Sequence, residues 1–78
     1  MREKTLCTIV TFLTPTDAMA FECFAGQHDL PGRLIPVPSA VSAGCGICWC
    51  APHEEAGALG ALKAANTLAI EAIYTLLI

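Results

Sequence analysis

The sequence predicts an α+β domain in which two helices pack on one face of a four-stranded antiparallel sheet. Three observations carry that reading. Four short segments alternate or concentrate β-branched and aromatic residues. The two segments between them open on a proline followed by carboxylates, the arrangement of a helix start. The resulting order along the chain is β-α-β-β-α-β. With 78 residues, one domain spanning 1–78 is expected, built around a single modest core.

Thr5 to Leu13 is rich in β-branched and aromatic side chains. Leu6, Thr8, Val10 and Phe12 fall on one side and Cys7, Ile9, Thr11 and Leu13 on the other, as in a central strand. Thr14 then offers a capping hydroxyl, Pro15 suits the first helical position, and Asp17 brings a carboxylate to the positive end of the helix dipole. This helix is expected to reach about His28 and to bury Ala18, Phe21, Phe24 and Ala25. The turn-forming Asp29-Leu30-Pro31-Gly32 leads to a second strand, Arg33 to Val37, whose Pro36 cannot donate to a ladder and so belongs at a sheet edge. Pro38 to Gly44 is the longest run of loop-forming residues, and it delivers the chain to Cys45-Gly46. Ile47 to Ala51 is a third strand. Pro52-His53-Glu54-Glu55 opens the second helix, which runs to about Ala65 with Ala58, Leu59, Leu62 and Ala65 toward the sheet. Asn66-Thr67 ends it, and Ile70 to Leu77 forms the fourth strand. Such an order most simply closes into the ferredoxin-like arrangement, which by itself decides no function.

Charge and hydropathy narrow the field. The net charge is −3, and the four basic residues are Arg2, Lys4, Arg33 and Lys63, so no basic stripe exists for a phosphate backbone and nucleic acid is not an expected partner. No window reaches the roughly 18 apolar residues that crossing a membrane requires. Met1 to Ala20 mimics a secretory leader in outline, but Thr5, Thr8 and Thr11 interrupt its apolar stretch and Glu3 weakens its positive head. A cytoplasmic, reducing setting is therefore expected, and it suits free thiols.

Five cysteines cannot all close into intramolecular disulfides. Cys7 and Cys23 stand inside apolar patterns, whereas Cys45, Cys48 and Cys50 crowd together after the loop. Gly44 and Gly46 flank Cys45, leaving its thiol clear of neighbouring side chains, and successive main-chain N–H groups in such a turn can face a negative sulfur. Cys45 is accordingly the principal candidate for chemistry, with Cys48 as a resolving thiol. Gly44, Gly46, Ser42 and Arg33 are candidates to stabilise its thiolate. Other readings stay open. Cys45-Gly46-Ile47-Cys48 is also a Cys-x-x-Cys, a redox pattern whose first cysteine usually opens a helix, although here a strand follows. Cys45, Cys48, Cys50 and His53 supply donors acceptable to zinc or copper(I), but a strand this short hardly wraps a tetrahedron, and neither a metal nor a cofactor is expected. His28 and His53 read as surface residues at helix ends, and Glu54 and Glu55 as first-turn carboxylates. The edge at Pro36, or an exposed face of Trp49, is a candidate docking surface, with a homodimer left open.

The run Arg33-Leu34-Ile35-Pro36-Val37-Pro38, then a serine-containing loop, then Cys45-Gly46, resembles the small prokaryotic proteins of the putative selenium/sulfur carrier protein-like family. The order of elements agrees over nearly the whole chain. The resemblance implies a carrier, not a turnover enzyme, that accepts sulfur or selenium on Cys45 from a donor protein and passes it to an acceptor. This chain departs from the family pattern in having Ser39 after the second proline, Gly44 before the cysteine, and Ile47-Cys48-Trp49-Cys50 after the Cys-Gly pair.

Overall fold

A computed structural model describes residues 5–41, 45–66 and 68–77. The elements follow the expected order: β1 (Leu6–Thr11), α1 (Pro15–Gln27), β2 (Arg33–Pro36), β3 (Ile47–Pro52), α2 (Ala56–Ala65) and β4 (Ala72–Leu77). The strands form one antiparallel sheet in the order β2-β3-β1-β4, which is a ferredoxin-like type of fold. The two strands that bury the most residues, β1 and β3, take the centre. β2 lies at an edge, where the missing N–H of Pro36 leaves no gap in a ladder.

Helix α1 starts as its sequence dictates. The Thr14 hydroxyl accepts from the Asp17 N–H at 3.2 Å, and Pro15 occupies the first turn, where its lack of an N–H costs no bond. At the other end His28 caps the helix and Asp29 adopts the left-handed conformation (φ 54°). The Leu30 N–H then reaches the Ala25 carbonyl at 2.9 Å, so two orphan carbonyls are satisfied in a Schellman-type ending. The helix buries Ala18, Phe21 and Ala25, whereas Phe24, expected in the core, is half-buried and stacks on His28 with ring centroids 4.1 Å apart.

The second helix begins later than its sequence suggests. Pro52 completes β3 opposite Cys7, His53–Glu55 make a single 3-10 turn, and α2 starts at Ala56 with no side-chain cap. Its buried stripe is narrower than expected: Leu59 is buried and Leu62 half-buried, while Ala58 and Ala65 are exposed. Their single methyls flank that stripe, too short to reach the sheet from its margins. Asn66, left-handed at φ 56°, ends the helix where the sequence places its stop.

The strand ends also moved inward. β1 stops at Thr11 and not Leu13, Thr11 being its last residue paired on both sides, opposite Cys48 on one and Ala72 on the other. Correspondingly, β4 begins at Ala72, the preceding Glu71 N–H closing onto the Thr11 carbonyl at 2.8 Å.

Alternation along the central strands divides the sheet into two chemistries. Val10, Phe12, Trp49 and Ala51 point to the helices and form one core with Ala18, Phe21, Ala25 and Leu59. Phe21 holds it together, its ring 5.4 Å from Phe12 and 5.3 Å from Trp49, distances typical of aromatic pairs. Trp49 is thus a core residue, only 4% exposed, and offers no docking face. Gly32 explains how the indole fits. A Cβ at Gly32 (φ 138°) would stand 2.5 Å from Trp49 Nε1, so only glycine allows the chain to turn into β2 against that ring.

Candidate functional site

The loop between β2 and β3 is closed at its base by the Val37 N–H donating to the Gly46 carbonyl at 3.1 Å. A turn inside it, Pro38 to Val41, is tied by the Val41 N–H to the Pro38 carbonyl at 3.0 Å, and Val41 is buried. Cys45 therefore sits at the point where the loop rejoins the sheet. The next residue, Gly46, has φ 81°, and a Cβ there would meet nothing within 4 Å. The left-handed backbone favours glycine at this site, and among the described residues the space at the Gly46 Cα is open.

Cys45 is half-buried, its side chain packed against the helix-side core. Its thiol donates to the Ile47 carbonyl, Sγ···O 3.1 Å. Sequence reasoning expected main-chain N–H groups aimed at this sulfur; the contact found is the reverse, a carbonyl accepting from the S–H. Of the proposed supporting residues, Gly44 and Ser42 lie outside the described residues. Arg33 stands opposite Cys50 in the β2–β3 register, three positions beyond Ile47 and about 10 Å along the strand from it. Its charge acts on Cys50, drawing that thiol down against a larger upward push from burial and from Cys7.

The two ends of the Cys-x-x-Cys lie on opposite faces of the sheet. Cys45 and Ile47 pack with Trp49 on the helix side, so Cys48, of opposite parity, points through to the other face. There Cys48 is fully buried, and its thiol is pushed up to about 11, first by burial and then by the charges of Cys50 and Cys45. A thiol so placed packs as a small apolar side chain. Nor do Cys45, Cys48, Cys50 and His53 gather into a donor set: among the described residues, no group of three or more His, Cys, Asp or Glu is placed to hold a metal ion.

Sequence reasoning missed one pairing. Cys7, read as part of an apolar pattern, shares the face of Cys48 and Cys50 and helps push the Cys50 thiol up. The signal was present in the alternation of β1, but the register that brings it to β3 was not. Cys23 is exposed on α1, near only Gln27, whose amide lies 3.9 Å from its sulfur.

No helix among the described residues is long and apolar enough to cross a membrane. No curated protein and no solved structure matches this chain significantly. One family does match, over residues 7–75, a span that reaches into all four strands and covers both helices and the Cys-Gly turn. The chain therefore belongs to the family described as "Putative Se/S carrier protein-like".

Proposed function

We propose that this protein carries sulfur or selenium on Cys45 and hands it from a donor protein to an acceptor. The observation behind the choice of cysteine is the turn itself. Cys45 alone joins a side chain at the surface end of the sheet, a following glycine with open space beside it, and a loop base fixed by a main-chain hydrogen bond. Cys48 is sealed and Cys23 lies on a plain helix surface.

The chemistry is two displacements at sulfur. The Cys45 thiolate attacks the terminal sulfur of a donor persulfide; the donor S–S bond breaks, the donor thiolate leaves, and Cys45 becomes a persulfide. An acceptor thiolate then attacks that terminal sulfur and Cys45 departs as thiolate. Selenium passes by the same substitution. For the first step, Cys45 must release the Ile47 carbonyl and lose its proton, which docking of a donor that supplies its own N–H or cationic groups to the open side at Gly46 would favour. A carrier of this kind completes no chemical cycle alone, and its partners are proteins.

Incubation with a cysteine desulfurase and cysteine should add the mass of one sulfur to the intact chain, removable by reductant. Cys45→Ser should take up none. If the serine variant gains the same mass as the parent, the carrier role of Cys45 is wrong.

A further inference from the structure

The sheet face turned away from the helices holds a second pair of thiols, on the side opposite Cys45. Cys7 lies across from Pro52 and Ile9 across from Cys50, which makes Cys7 and Cys50 diagonal neighbours on adjacent strands. Both are free and half-buried, and they lie near enough for the charge of Cys7 to push the Cys50 thiol up. Cys7 Sγ also lies 3.7 Å from the hydroxyl and carbonyl oxygens of Thr5. Diagonal α-carbons in an antiparallel pair are about 7–8 Å apart, at or beyond the span a disulfide bridges without backbone movement. Two thiols at such a spacing are better suited to an inserted atom than to a direct bond.

The surroundings specify which atom. Arg33 is the register partner of Cys50 and brings a positive charge to it. Between the strands the fully buried Ile9 supplies an apolar floor, with Tyr74 its partner on β4. The absence, among the described residues, of any group of three or more His, Cys, Asp or Glu placed for a metal leaves a tetrahedral zinc ion short of donors here. A pair of thiolates with no further ligand selects a soft, monovalent ion.

We propose that Cys7 and Cys50 form a two-sulfur site for copper(I), with the Arg33 guanidinium balancing its charge. Binding breaks two S–H bonds, forms two sulfur–metal bonds and releases two protons, with no change of oxidation state. Two thiolates, one monovalent cation and one guanidinium sum to zero, so filling takes the site from a single positive charge to neutral and leaves no net charge at a partly dry surface.

Anaerobic titration of the full chain with copper(I), in competition with a chromophoric copper(I) chelator, tests this. One ion should bind per monomer. Cys7→Ser and Cys50→Ser should each abolish that site, Arg33→Gln should weaken it about tenfold, as loss of a supporting contact does, and Cys45→Ser should leave it unchanged. Should Cys50→Ser fail to fold, Cys7→Ser, at a half-buried position, decides the matter alone. Wild-type binding by Cys7→Ser overturns the proposal, as does loss of binding in Cys45→Ser, equal affinity for zinc, or a copper-dependent dimer on gel filtration. Because Cys45→Ser is expected to keep this site while losing sulfur uptake, either idea can fail without the other.

Discussion

Alkylation kinetics at Cys48 test the division of the thiols between the two faces of the sheet. In the folded protein this thiol is pushed up to about 11 from an ordinary 9.0, chiefly by burial. At pH 8 an ordinary thiol is then about one part in ten thiolate, and Cys48 about one part in a thousand, so ionisation alone slows its reaction with iodoacetamide about 100-fold. Full burial slows it further by excluding the reagent. The assay is a labelling time course on the native chain and on the same chain in denaturant, with each cysteine-bearing peptide quantified by mass spectrometry. Cys23, exposed on α1, serves as the internal reference for reagent activity. The Cys48 rate in the native protein should also keep climbing with pH toward about 11 instead of levelling near 9.0. Labelling of native Cys48 at pH 8 within tenfold of its rate in denaturant would refute the placement, and with it the argument that strand parity keeps Cys48 from resolving an adduct on Cys45.

The same thiol gives stability a pH dependence. The folded state holds the Cys48 proton to about 11 while the unfolded chain releases it near 9.0, so this stability is intact below the lower value and declines as pH rises through the window between them; denaturant midpoints at successive pH values read it directly. Gly32→Ala forces a Cβ to 2.5 Å from the Trp49 indole at φ 138° and should cost about 2–5 kcal/mol, lowering the melting temperature by at least about 10 °C in thermal unfolding followed by circular dichroism. Thr8→Val should raise stability by about 1 kcal/mol, because the buried Thr8 hydroxyl has no hydrogen-bond partner among the described residues and a methyl of similar size leaves nothing unsatisfied. Asp29→Gly should add about 0.5–1 kcal/mol by relieving a left-handed backbone at the end of α1, an effect read as a shift in the urea midpoint.

Local chemistry made much of this protein legible before any coordinates. Thr14-Pro15-Thr16-Asp17 is a helix start wherever it occurs, because the capping hydroxyl and the missing proline N–H act within one turn. Pro36 forbids an interior strand for a reason confined to its own ring, and β2 is indeed at the edge. Alternation placed Trp49 opposite Cys48 and Cys50, and the Cys-Gly turn could be picked out from its neighbours in sequence. What a chain read residue by residue lacks is register. Which face of the sheet the helices cover decided that Trp49 is core and not a docking surface, and that Cys45 and Cys48 look away from each other. The pairing of β1 with β3 brought Cys7 to Cys50, and that of β2 with β3 gave Arg33 to Cys50. Each of these meetings joins residues distant along the chain, and such contacts are fixed by how faces pack against one another, a property of the assembled sheet and helices that no single segment contains.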